Sequence, residues 1–528
     1  MPAIASCASA ADATARPRAA IRAVPEAGWV VAAFVLALGV FWIRQWQIAA
    51  TLGWSSFPLD DSWIHLQFAR NLAEGHGFAY NPGIPVAGST APLWTLLLAA
   101  VFAVLGSHPL WAKLVGMLAT LGTALLAQRL VWRLTAHRGP GLIAGVSTAT
   151  AGPLVWGALS GMEVSLAALL VTAALLCQWN GREAATAALL ALAALTRPEA
   201  TLLVPLCWLA RPISWRRTAL YWGALTICLT PWVLFNQATS GSPLPATASA
   251  KVQGGLIGLL SGLREPLATT MLRPLRFEAE WVGWLWATNV LLPLLILPGL
   301  AVLGYRHGRW VIPATVLILH PVGMALLAPA GGPAFQEGRY SIHLLPLAIA
   351  VAAIGLDVLA GARRLRPAAL ALFLVASVVA VLPAASRYAW AVQNIDAMQV
   401  RLGHWVLAHT PAQARLALND IGAIAYISRR EVVDVIGLVT PAILPYRHRG
   451  EAGVLRYLER ACPDYLIIFP AWLPTLSSMS DRFPAVHRVR LDHNTVAGAD
   501  EMVVYETPWN RWRHPVQPCP DAGQDGRR

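Results

Sequence analysis

The chain has 528 residues and a formal net charge of +13, with 56% hydrophobic residues, 13% Asp, Glu, Lys and Arg, and a mean hydropathy of +0.54. This balance excludes an ordinary soluble globular protein and a disordered one, and leaves a chain housed largely in lipid with room for one soluble domain. The positive charge does not argue for nucleic acid. Lys113 and Lys251 are the only lysines, and the arginines fall in short loops between apolar runs, where they set membrane orientation.

A helix needs roughly 20 apolar residues to cross a hydrocarbon core. Arg16, Arg18 and Arg22 precede the apolar run Gly28 to Trp46, which lacks a small-residue cleavage site. A cytoplasmic tail over residues 1–27 and a retained first helix are expected. Further spans are predicted near 110–134, 140–158, 163–179, 218–235, 284–304, 310–329, 343–360 and 367–384. The shorter runs 184–195 and 199–210, either side of Arg197-Pro198-Glu199, suit a helical hairpin or re-entrant pair.

Pro92 to Leu105 is placed along the interface rather than through it. As a span it would put Arg133 and Arg138 on the same side as Asp60 and Asp61, against the bias of arginine toward the cytoplasm. Residues 47–109 then form a first external loop within a membrane domain over 28–385. Residues 386–510 change character, with an amphipathic helix from Val392 to His409 and β-type runs at Arg415–Asn419, Val432–Val435, Tyr465–Phe469 and Met502–Tyr505. That alternation predicts an extracytoplasmic α/β domain, followed by a fraying tail over 511–528. Cys462 and Cys519 in this region are read equally well as a disulfide or as two free thiols.

The chemistry concentrates in the first loop. Leu59 to Ala73 reads as an amphipathic helix with Asp60 and Asp61 in its first turn. The helix dipole favours one of them there as an N-cap, which leaves the second to be explained. Side-by-side carboxylates repel, so one has a raised affinity for a proton or a cation.

Gly75-His76-Gly77, Asn81-Pro82-Gly83 and Thr90-Ala91-Pro92-Leu93-Trp94 follow the aspartates. Ser160-Gly161-Met162-Glu163, Thr196-Arg197-Pro198-Glu199, Gly338-Arg339-Tyr340 and Asn419-Asp420-Ile421-Gly422-Ala423 lie downstream. As an ordered set they resemble the GT-C glycosyltransferases, in particular the arabinofuranosyltransferase-like and mannosyltransferase-like branches. The chain departs from that pattern at Gln67-Phe68, where relatives often carry Arg-Tyr, and at Ala87, where they often carry Glu.

The resemblance implies a polytopic α-helical GT-C membrane protein of about eleven membrane helices with a C-terminal extracytoplasmic α/β domain, in a bacterial inner membrane. It also implies inverting transfer of a sugar from a polyprenyl-phosphate donor to a hydroxyl of a cell-envelope glycan, lipid or protein, with membrane lipids as the other partner. A carboxylate must deprotonate the acceptor; Asp60 is the first choice and Asp61 the second, the latter orienting the acceptor or holding a divalent cation (Mg, Mn or Ca). No cofactor is certain. The departing phosphate calls for a cation, with Arg339 first and Arg70, Lys251 and His65 after it. Arg339 is read equally well as a structural partner of Glu337. His76, Asn81, Tyr340 and Trp94 are candidate substrate contacts. The rival reading, a transporter or flippase of lipid-linked sugars, gains no support from internal repeats.

Overall fold

The structure is a computed structural model that describes residues 26–50, 55–247, 254–260, 265–327, 331–359 and 365–513. Among the described residues, six helical stretches are long and apolar enough to cross a membrane: Ala27–Ala49, Leu110–Thr135, Trp215–Ser240, Leu292–Leu327, Ile342–Leu359 and Arg366–His409. A seventh is added if Arg138–Thr150 and Gly152–Leu159, bent by 50°, form one broken span. The expected figure of about eleven is therefore not reached on length and composition. Pro92–Leu105, Val164–Trp179, Glu183–Thr196 and Pro198–Leu209 are apolar but shorter. The chain is a multi-pass membrane protein, and its first helix shows why. Phe34, Leu38 and Phe41 are buried in the bundle while Trp29, Leu36 and Ile43 of the same helix are exposed, an apolar surface suited to lipid.

The span expected at 284–304 starts later. Asn289 leaves helical geometry and uses its side chain to donate to Phe373 O and Ser377 Oγ and to accept from Leu291 N. It thereby separates the amphipathic helix Leu267–Thr288 from Leu292–His307. Two glycines allow Leu292–His307 and Leu345–Leu359 to touch backbone to backbone. A Cβ at Gly299 would lie 2.3 Å from Val351 O, and one at Gly355 would lie 2.9 Å from Gly299 Cα.

The last membrane helix continues into the C-terminal part without a linker: Arg366–Val379, Val381–Ile395, a π turn at Asp396–Val400, then Arg401–His409. The amphipathic helix expected at Val392–His409 is the end of this rod. In the first loop, β1 (Ala79–Asn81) and β2 (Ile84–Pro85) form a short hairpin. The C-terminal strands are β3 (Arg415–Leu418), β4 (Glu431–Asp434), β5 (Tyr465–Ile468), β6 (Ala485–Arg490) and β7 (Glu501–Glu506), ordered β4-β3-β5-β7-β6. β4, β3 and β5 are parallel, and β7 and β6 are antiparallel additions. β6 has no counterpart among the expected strands. It is an exposed edge strand whose charged, half-apolar run Ala-Val-His-Arg-Val-Arg gives little burial signal.

Alternation along the strands divides the sheet into two faces. Leu416, Leu418, Val432, Ile467 and Val504 pack against Ile64, Phe68, Tyr80 and Val86 of the first loop. Ala417, Val433, Leu466, Ile468 and Val503 pack against Val454 and Leu458 of helix Glu451–Ala461. The first loop is therefore one wall of the C-terminal domain's core. Cys462 is disulfide-bonded, and its expected partner Cys519 lies outside the described residues.

Gly299→Leu is expected to force the two helices apart at a cost of about 1–3 kcal/mol, the usual range for overpacking. A lower melting temperature in detergent would report it, and an unchanged one would show that the crossing is loose.

Candidate active site

Helix Asp61–Ala73 carries the aspartate pair at its N-terminal end. Asp60 occupies the N-cap position, yet its side chain makes no capping bond to its own helix. It reaches across to the C-terminal domain instead. Gly422 N donates to Asp60 Oδ2 at 2.6 Å and Ala423 N donates to Oδ1 at 2.7 Å. The Asp60 carboxylate thus caps helix Ala423–Ser428, which follows β3. Close approach makes glycine obligatory at 422, where a Cβ would lie 2.1 Å from Asp60 O. Burial, with Asp420 beside it, holds the Asp60 carboxyl well above the usual carboxylate range despite the two amide donors.

Asp61 turns the other way and is 30% exposed. Its Oδ2 accepts from Arg339 Nη1 at 2.5 Å. Arg339 is 5% exposed and lies over the rings of Phe335 and Tyr340, with Nη2 at 3.4 Å from Tyr340 Oη. Its Nε is buried and has no hydrogen-bond partner among the described residues. A planar guanidinium with a spare donor edge beside a solvent-reachable carboxylate suits an incoming phosphate.

The turn before Arg339 is strained. Gln336 and Glu337 have φ of 47° and 60°, and Gly338 has φ of 77°. Consecutive left-handed non-glycine residues persist only where neighbours hold them. Here Arg387 donates to both Glu337 oxygens, at 2.6 and 2.9 Å, and Trp284 Nε1 donates to Glu337 O at 3.1 Å. The structural pairing considered for Arg339 and Glu337 is therefore replaced: Glu337 binds Arg387, and Arg339 binds Asp61. Sequence reasoning passed over Arg387, although a lone cation just past the end of an apolar run was a signal for it.

A second charged group also lies near Tyr340. Arg197 sits 4.9 Å from the Tyr340 ring centroid, donates to Glu163 at 2.5 Å and pairs with Glu199. Glu163 is also 3.2 Å from His65 Nε2. Burial alone would push Glu163 up, but Arg197 and His65 outweigh it and hold its carboxyl below the usual range.

The remaining candidates fall elsewhere. Arg70 follows Asp61 by nine positions, roughly two and a half turns along and on the opposite side of the helix. It donates to Tyr426 O and Gln67 Oε1 and lies over the Tyr426 ring. Asn81 pairs with β4 through Val432 N and O, and His76 is 3.9 Å from Glu74. Arg70, His76 and Asn81 line a separate cleft of about 660 Å³ with Arg415, Arg429 and Glu431. Trp94 is fully buried, with Nε1 donating to Gly161 O; with Ser62 Oγ donating to Ser160 O it anchors the loop to the Ser160–Glu163 turn. Lys251 lies outside the described residues. The donor set at the pair does not match a divalent cation. Asp60 has both oxygens on amide donors and Asp61 already faces a guanidinium, and no group of three or more His, Cys, Asp or Glu placed for a metal occurs among the described residues.

Asp420, which accepts from Gln399 Nε2 at 2.7 Å, is pushed up to about 6, chiefly by burial with Asp61 adding to it. The ordinary value is near 3.9, so the folded state holds the extra proton between the two. Stability from this group is greatest below about pH 4 and is lost as pH rises through about 6. Asp420→Asn is expected to reduce the excess in melting temperature at pH 5 over pH 7. An unchanged excess would show that Asp420 does not carry it.

A family model described as a domain of unknown function (DUF8728) matches residues 393–512. No curated protein matches the sequence. Among solved structures, ArnT from Cupriavidus metallidurans in the apo state is similar with a TM-score of 0.58 and 13% identity, covering 90% of this chain and 97% of that one. ArnT from the same organism bound to undecaprenyl phosphate gives 0.57 and 12%, covering 90% and 98%. The archaeal oligosaccharyltransferase AglB from Archaeoglobus fulgidus, in complex with an inhibitory peptide and a dolichol-phosphate, gives 0.54 and 11%, covering 92% and 77%. At these identities the likeness speaks for the fold alone: the chain shares the fold of ArnT and AglB, the GT-C fold.

Proposed function

We propose that the protein is a glycosyltransferase that moves a sugar from a polyprenyl-phosphate donor to a hydroxyl of a cell-envelope acceptor at the outer face of the bacterial inner membrane. The observation that carries this reading is the Asp61–Arg339 pair. It sets a reachable carboxylate against a guanidinium whose Nε has no partner among the described residues, where the first loop meets the membrane bundle. The fold is shared with a protein solved with undecaprenyl phosphate and another solved with a dolichol-phosphate, which supports a lipid-linked donor.

In this reading the donor phosphate competes with Asp61 for Arg339. Once Arg339 swings to the phosphate, Asp61 is left ionised beside the acceptor hydroxyl. Its oxygen takes the hydroxyl proton, the acceptor oxygen bonds to the anomeric carbon from the face opposite the phosphate, and the carbon–oxygen bond to phosphate breaks. The electron pair leaves on the phosphate oxygen, where Arg339 meets the developing charge. Attack from the opposite face inverts the anomeric centre. The base role falls to Asp61 rather than Asp60 because both Asp60 oxygens are engaged by amides and its side chain is buried. No step is routed through a metal.

Purified protein incubated with a panel of polyprenyl-phosphate sugars and envelope acceptors, read by product mass, tests the reaction. Asp61→Asn is expected to lower kcat by about 10²–10⁴, the usual contribution of a general base, with the melting temperature kept. Asp60→Asn is expected to lower the melting temperature, since its amide nitrogen would face one of the two backbone donors. Equal kcat losses with unchanged stability in both would overturn the division of roles. Arg339→Ala is expected to raise donor KM by about 10–100-fold, the loss of one charged hydrogen bond. Arg387→Ala should act in the same direction with a smaller rise, because it works through the turn that carries Arg339. An Arg387→Ala effect on kcat with donor KM unchanged would contradict that positioning role.

A further inference from the structure

The parallel part of the sheet contains a topological switch. From β3 the chain moves outward to β4, then crosses back to β5 on the other side of β3. Ligands of open α/β sheets bind outside the carboxyl ends of strands at such a point. A cavity of about 260 Å³ lies there, lined by Asn419 after β3, Val435 and Ile436 after β4, and Trp472 after β5, with Arg447 and Glu451 from the crossover.

Its lining is unusual in three respects. Asn419 is 4% exposed, and among the described residues neither its amide oxygen nor its amide nitrogen has a hydrogen-bond partner. Buried amides left so are uncommon and costly. Trp472 is 46% exposed, while its Nε1 is fixed on Gly498 O at 2.9 Å, so the indole is held in place with much of its surface uncovered. Arg447 and Glu451 are tied in by single bonds to Ile436 O and Leu476 N, which orient a guanidinium and a carboxylate at the site.

A nucleotide does not suit this switch point. Its phosphate would occupy the helix N-terminus after β3, and that place is taken by the protein's own Asp60 carboxylate on Gly422 N and Ala423 N. Aliphatic walls, a fixed indole, an amide, a guanidinium and a carboxylate in a space this small match one sugar ring, with C–H groups on the indole and hydroxyls on the polar groups. Asn419 precedes Gly422 by three residues, at most about 10 Å of chain, and the cavity lies on the sheet face turned to helix Glu451–Ala461.

We infer that this cavity binds one sugar ring of the glycan acceptor. The inference rests on the transferase reading for the word acceptor, though not for the binding itself. The test uses the full-length protein in detergent and saturation-transfer NMR with methyl glycosides of the common hexopyranoses and pentofuranoses. At least one glycoside should bind the native protein and Asp61→Asn alike, and should bind Trp472→Ala and Arg447→Ala about tenfold more weakly, with melting temperatures unchanged. If Trp472→Ala lowers the melting temperature, Trp472→Phe and Arg447→Ala carry the comparison. No binding by any glycoside, or binding indifferent to both positions, would overturn the inference. Glycoside binding lost in these variants, in a protein that transfers no sugar from any lipid donor, would sink the transferase reading and leave the cavity standing.

Discussion

The arrangement of this site depends on one carboxylate that bridges two parts of the chain. Asp60, at the start of the first-loop helix, accepts from two backbone amides at the start of a helix in the C-terminal domain. A carboxyl at a helix N-terminus satisfies amides that have no partner within the helix, and Gly422, lacking a Cβ, permits the close approach. Around that contact the two parts share a hydrophobic core, with Ile64, Phe68 and Tyr80 against the sheet. Because Asp60 faces the C-terminal domain, its neighbour, about 100° further around the helix, is directed toward the helical bundle and meets Arg339.

The second constraint is electrostatic. Arg197 and Arg339 lie near the same Tyr340 ring, and each is matched by acidic side chains: Glu163 and Glu199 for the former, Asp61 for the latter. Buried cations without such partners would be costly. In the Arg197 cluster Glu163 is shared with His65, and Glu199 binds Arg197 bidentately. At the Arg339 pair the Asp61 carboxylate is 30% exposed, whereas Glu163 is fully buried and Glu199 15% exposed. The difference is one of access from outside.

Much of this was legible in the sequence because scarcity is informative in an apolar chain. Asp60, Asp61, Arg197 and Arg339 stand out where charge is rare, and the parallel strands are short apolar runs between turn residues. What was not legible required three-dimensional pairing. Asp60 and Gly422 are 362 positions apart, and nothing local says that one caps the other. Arg70, His76 and Asn81 lie close to the aspartates in sequence, but helical rotation carries Arg70 to the opposite side and the β1–β2 hairpin carries the other two to a separate cleft. The span count is left unconfirmed where polar side chains interrupt helices, as Asn289 does, and where apolar helices are short. The edge strand β6 was hidden by its exposure.

The most direct test is a high-resolution structure of the protein with a polyprenyl phosphate bound. The account predicts phosphate oxygens on the Arg339 guanidinium, Arg339 drawn away from Asp61, and the Asp60 contacts to Gly422 and Ala423 intact. A phosphate held elsewhere, with the Asp61–Arg339 pair undisturbed, would contradict it.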